Sequence, residues 1–165
     1  MGSKKGIVVT LVILIGVVAA SFLFYLIPED TKMKLVVSDF ERNLDDIDER
    51  TLILSTGIEE SFEGLSNHRL TSEEYFVTAE ITQSQVNSLI IELTLSNPPQ
   101  EWVASYKTYV DALKKLNGQI TETIIAAKLM NDGDNSDSIN EIISKIYELR
   151  AESLDLIEKS DSLRP

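Results

Sequence analysis

The sequence predicts an all-α protein, an N-terminal transmembrane helix followed by an up-down-up-down four-helix bundle. Three observations carry this expectation. Residues 7–27 contain no charged side chain. Beyond them, apolar residues recur at alternating spacings of three and four, the period of a helix face. Short polar or proline-bearing breaks divide this pattern into four stretches, as in antiparallel bundles, and no segment shows a competing strand pattern.

The segment IVVTLVILIGVVAASFLFYLI, residues 7–27, would rise about 31 Å as a helix, enough to cross the hydrocarbon core. Lys4 and Lys5 precede it, and Glu29 and Asp30 follow. The positive-inside bias therefore places residues 1–6 in the cytoplasm and residues 28–165 outside. Val18-Ala19-Ala20 offers the small-residue pattern of a signal-peptidase site, but the apolar run continues to Ile27, so an uncleaved signal anchor is expected. Gly16 and Ala20 form a small-xxx-small pair that would let another membrane helix approach closely. Lys4-Lys5-Gly6 also resembles the cleavage site of archaeal prepilin-type signals. That resemblance implies a pilin-like filament subunit starting at Ile7, although Leu11 stands where bacterial pilins carry Glu.

The first exterior helix is expected from about Asp30 to Leu65. Its seam is Val37, Phe40, Leu44, Ile47, Thr51, Leu54, Ile58, Ser61 and Leu65, and it could continue the membrane helix as one rod interrupted near Pro28. After the break Ser66-Asn67-His68-Arg69, Thr71-Ser72-Glu73-Glu74 reads as a capping box. The second helix carries Tyr75, Ala79, Thr82, Val86, Leu89 and Leu93 on one face. Ile81, Ile91 and Leu95 lie off that stripe, so this helix should touch neighbours on two sides. It ends at Asn97-Pro98-Pro99. Pro98 or Pro99 would occupy the first turn of the third helix, whose stripe runs from Trp102 through Tyr106, Tyr109, Leu113, Leu116 and Ile120 to Met130. Gly118 inside it marks a close approach to a neighbour. Ser136 or Asp137 would cap the fourth helix, whose stripe includes Ile139, Ile142, Ile143, Ile146, Leu149 and Ser153.

The chain has 165 residues, with 27 Asp and Glu against 15 Lys and Arg, one His and no Cys, for a net charge of -12. This balance argues against nucleic-acid binding, which needs a basic stripe. The absence of Cys excludes disulfides, thiolate metal sites and a cysteine nucleophile. His68, the single histidine, falls in a break and reads as a solvated loop residue, so no Glu-x-x-His pair exists for a di-iron bundle. The cluster Asp132-Gly133-Asp134-Asn135-Ser136-Asp137 is rich in oxygen ligands. An EF-hand starting at Asp132 would however need Gly at 137 and Glu at 143, where Asp137 and Ile143 stand, so a turn and cap are expected, with a weak calcium site as the alternative. No catalytic residue, cofactor or metal is expected. Trp102, Tyr106 and Tyr109 are candidate partner contacts, since aromatics anchor interfaces, with core packing the competing role. The hydroxyls of Thr51, Ser61, Thr82 and Ser153 either line a ligand cavity or bond backbone carbonyls.

In architecture the chain looks like the four-helix sensor domains of chemoreceptors, but no second membrane helix follows Arg164-Pro165 to relay a signal. Lys5-Gly6-Ile7-Val8-Val9-Thr10, residues 22–28, Pro98-Pro99-Gln100-Glu101-Trp102 and residues 159–165 resemble single-pass membrane-anchored helical proteins of ammonia-oxidising archaea. That resemblance implies an outer-face location and an accessory-subunit role in a membrane complex such as the ammonia monooxygenase. The expected function is thus a non-catalytic, membrane-anchored, extracytoplasmic bundle that binds a protein partner or forms a homo-oligomer. A small-ligand-binding module and a pilin-like subunit are the alternatives. Intact-mass measurement of the native protein should find residues 7–27 retained. Loss of residues 1–20 would identify a cleaved signal, and loss of residues 1–6 a pilin-like maturation.

Overall fold

Asp39 starts the first helix. Its backbone is extended, and its carboxylate accepts the amide of Arg42 at 3.0 Å, so α1 runs Phe40–Ser66. In the structure, a computed structural model, Val37 and residues 39–132 and 136–165 are described, and all lie in one unit, Lys34–Pro165. The helix expected from Asp30 therefore begins ten residues later, and Val37, placed in its seam, is not helical. Heptad spacing shows which face is apolar but not where the chain enters the helix. An N-cap side chain that satisfies an orphan amide decides that. The expected rod, with its interruption near Pro28, falls on residues outside the described ones. The 7–27 segment, with Gly16 and Ala20, lies outside the described residues, among which no helix is long and apolar enough to cross a membrane.

α1 ends in a Schellman motif. The amides of His68 and Arg69 donate to the carbonyls of Leu65 and Gly64 at 3.0 and 2.7 Å. His68 takes the left-handed position of that motif, φ 57°, where glycine is the usual occupant. The expected capping box opens α2, Ser72–Leu95: the Glu74 amide donates to Thr71 Oγ1, and the Thr71 amide donates to Glu74 Oε2 at 2.9 Å. The Thr71 amide and the Thr71 hydroxyl both donate to the Glu74 carboxylate and hold it below its usual pKa. Asn97, also left-handed at φ 48°, terminates α2 ahead of Pro98. The third helix does not start on a proline. A turn closed by the Trp102 amide on the Pro99 carbonyl at 2.9 Å comes first, and α3 runs Val103–Asp132. α4 runs Ser136–Ser162, so Ser136 is already helical rather than its cap.

All the regular structure among the described residues is helical, and the four helices form a bundle. Successive helices run antiparallel. Arg50 pairs with Glu92 across α1 and α2 at 2.8 Å, Asn117 bonds Asn87 across α2 and α3 at 2.7 Å, and Lys115 pairs with Glu152 across α3 and α4 at 2.7 Å. Leu44, Ile47 and Ile58 of α1, Tyr75, Val86 and Leu93 of α2, and Tyr109, Leu113, Leu116 and Ile120 of α3 fill the core. The burial of such side chains, about 1.5–3 kcal/mol each, drives the assembly.

α4 is held differently. Ser105, Ala112, Gln119 and Ala126 recur every seven residues on α3, facing Ile146, Ser153 and Ser160 of α4, and all are buried. These side chains are mostly small, so the two backbones come within hydroxyl reach. Ser160 Oγ donates to the Ser105 carbonyl and Ser153 Oγ to the Ala112 carbonyl, each at 2.9 Å. Gly118 lies against Leu149, as the expected close approach requires, yet a Cβ there would sit 3.6 Å from Leu149 Cδ1, an ordinary contact. α1 and α4, by contrast, nowhere bring their Cα atoms within 8 Å of each other. One ion pair crosses that gap, Glu59–Arg150 at 2.7 Å, and Arg164, just past the end of α4, pairs with Asp45.

Gly118→Ala should therefore stabilise the bundle by about 1 kcal/mol, through helix propensity alone. Ala112→Leu should destabilise it by about 1–3 kcal/mol by overpacking the α3–α4 seam. Thermal melts followed by circular dichroism check both signs.

Candidate functional site

Because α4 leans on α3 and not on α1, a groove runs between α1 and α4. Its larger cavity, about 470 Å³, lies near the α1–α2 turn, and a second of about 100 Å³ continues it. Thr56, Glu59, Gln119 and Arg150 line both, so the Glu59–Arg150 pair spans the groove where the two cavities meet. Leu52 and Leu154 flank the smaller one, and both are exposed.

The floor comes from α3. Gln119 is only 3 % exposed, and its amide has no hydrogen-bond partner among the described residues, although its side chain lines the groove. The amide atoms open into the groove, where they can hydrogen-bond a group seated there. Thr123 beside it is fully engaged. It receives the Tyr75 hydroxyl and donates its own to the Ile120 carbonyl at 2.7 Å. Ile143 and Ile146 of α4 and Phe62 of α1 supply apolar wall. The α1 rim carries Glu59, Glu60 and Glu63, the last in contact with Asn67 at 3.4 Å and Arg69 at 3.7 Å. The Tyr147 ring, 63 % exposed, forms the opposite lip.

The residues singled out in the sequence fall elsewhere. Tyr106 and Tyr109 are enclosed in the core towards the other end of the bundle. The Tyr106 hydroxyl lies 2.8 Å from the Phe40 carbonyl and 3.0 Å from Asn43 Oδ1, and the Tyr109 hydroxyl donates to Asp48 Oδ1 at 2.7 Å. Neither side chain keeps surface to offer a partner, because ring burial and satisfied hydroxyls commit both to the interior. Trp102, half-buried, meets Tyr106 edge-on with ring centroids 6.3 Å apart. The seam hydroxyls bond backbone carbonyls: Thr51 to Ile47, Ser61 to Gly57 and Thr82 to Thr78 within their helices, and Ser153 across to α3. Thr51 and Ser153 nonetheless border the smaller cavity. His68 is exposed and serves the helix end. Residues 133–135 of the acidic loop lie outside the described residues, among which no three His, Cys, Asp or Glu side chains are grouped to hold a metal.

Gln119, Arg150 and Tyr147 were not singled out in the sequence. The available signal was Gln119 itself, a long amide in a seven-residue series otherwise made of Ser and Ala. Compared with known protein families, curated proteins and solved structures, the chain matches none of them.

Burial pushes the hydroxyls of Tyr75 and Tyr106 up to about 12, and raises Tyr109 further still. Each gives up its proton less readily folded than unfolded, where 10.0 is the ordinary value. Stability from these groups is therefore complete below pH 10 and is lost as pH rises towards 12. A denaturation series should show the midpoint falling over that window, with tyrosinate absorbance from these three side chains appearing only as helix content disappears.

Proposed function

We propose that the chain is a non-catalytic helical interaction module, tethered to a membrane through residues 7–27 and displaying residues 28–165 on the extracytoplasmic side, where it pairs with a second copy through α2. The observation that supports this reading is the outer face of α2. Val77, Ile81, Ser84, Ser88, Ile91 and Leu95 alternate by four and three, and every one is exposed, Ile81 by 55 % and Ile91 by 57 %. This is a heptad seam turned away from the core, opposite the face that buries Tyr75, Ala79, Val86, Leu89 and Leu93. Four large apolar side chains exposed along one helix face, two on either side of a pair of serines, fit an interaction surface.

The seam is self-complementary. Against an antiparallel copy related by a two-fold axis, Val77 meets Leu95, Ile81 meets Ile91, and Ser84 meets Ser88. The small serines fall at the centre, and Ser88 Oγ already donates to the Ser84 carbonyl at 3.0 Å, so burying it orphans nothing. On the flanks Glu80 comes beside Thr94 and Glu92 beside Thr78 of the other copy. An acidic protein with net charge -12 thus meets itself without opposing carboxylates, where like charges would oppose association. An isologous contact of this type closes as a dimer. The ammonia monooxygenase partner implied by the sequence resemblance belongs to the same proposal, as a larger assembly that such a dimer would join.

Light scattering on the full chain in mild detergent should give a dimer for the native sequence and a monomer for Ile91→Glu, with helix content unchanged. A native monomer, or a variant that keeps the dimer mass, would overturn the reading. Additional stoichiometric subunits after purification from native membranes would point to the larger assembly.

A further inference from the structure

We propose that the α1–α4 groove binds a small amphipathic cation, an organic ammonium carried on an apolar body. This site is separate from the α2 face and does not rest on it. The volume of about 470 Å³ suits a compact organic molecule. Two features set its chemistry. The Gln119 side chain, 97 % buried by its 3 % exposure, reaches the groove with both its carbonyl oxygen and its NH2 unclaimed. The oxygen accepts from an ammonium N–H, and the surrounding charge decides the sign of the ligand. Glu59 is bound to Arg150 at 2.7 Å and Glu63 lies 3.7 Å from Arg69, which leaves the Glu60 carboxylate uncompensated on the rim.

An anion entering the groove would meet the free carboxylate of Glu60 and the field of a chain with net charge -12. A cation would be attracted by both. Ile143, Ile146 and Phe62 offer the apolar body somewhere to leave water. The exposed Tyr147 ring at the lip adds a face over which an ammonium is favoured. Nothing in the arrangement calls for a bond to form or break, so the ligand is bound and released unchanged.

The test is calorimetric titration of the full chain in lipid nanodiscs, with empty discs subtracted. The probes are 2-phenylethylammonium, 2-phenylethanol and 3-phenylpropionate, similar in shape and different in charge. The ammonium should bind saturably at one site, about tenfold or more tighter than the alcohol or the carboxylate. Glu60→Gln, at an exposed position, and Gln119→Leu, which keeps the bulk and removes the amide, should each weaken it about fivefold or more. Equal affinity for the three probes, no saturable ammonium binding, or an affinity indifferent to either substitution overturns the proposal. Should Gln119→Leu lose helix content, the probe ranking and Glu60→Gln decide it alone. Because the α2 variant Ile91→Glu leaves the groove intact, its ammonium binding should match that of the native chain.

Discussion

The close seam between α3 and α4 governs the shape of this molecule. Ser105, Ala112 and Ala126 leave α3 nearly smooth on one side, and Ser153 and Ser160 do the same for α4. Two helices that present small residues every seventh position approach until hydroxyls bond the facing carbonyls, as Ser160 and Ser153 do. α4 packs on α3 through this seam and comes nowhere within 8 Å, Cα to Cα, of α1. α1 keeps its larger side chains, Leu44, Ile47 and Ile58, for α2 and α3. The groove beside α1 is floored by this same seam, through Gln119, Ile146 and Ser153.

That geometry explains what the sequence disclosed and what it withheld. Large apolar residues at three-four spacing announced four helices, and Thr71 with Glu74 announced the start of α2 to the residue. Ile81, Ile91 and Leu95, off the main stripe of α2, were expected to touch a second neighbour, but they stay exposed because the helices beside α2 pack on its other face. The start of α1 was not legible, because the apolar period runs on through Val37 while the chain is turned by Asp39. Tyr106 and Tyr109 were ambiguous for a different reason: an aromatic at core spacing looks the same whether its hydroxyl meets Asp48 or a partner. The groove was hidden because its floor includes Gln119 and Ser153, which carry no hydrophobic signal, and because it depends on the relative placement of helices distant in sequence.

Electrostatics works at two depths here. The ion pair spanning the α1–α4 gap is substantially exposed, with Arg150 and Glu59 side chains 45 % and 31 % accessible. Such pairs contribute about 0–1 kcal/mol and weaken with salt. They align two helices without locking them, and the width of the groove is therefore soft compared with the core behind it. The core polar groups are of the other kind. Tyr75 through Thr123, by a bond enclosed in the core, and Tyr109 through Asp48, by a half-buried one, join helices where an unmet partner would be costly. Register along the bundle is set by these inner bonds, and only its outer spacing by charge.

The order of the helices in space repeats their order in the chain, since α2 packs on α1, α3 on α2, and α4 on α3. Each new helix finds its main surface on the one before it, with short loops between. Loop closure then costs little entropy at every step. Such a chain can assemble as it emerges during synthesis, one hairpin at a time, and never wait for a distant segment to complete its core. α4 arrives last and needs only the smooth side of α3. The gap beside α1 is the space that this sequential assembly has no requirement to fill.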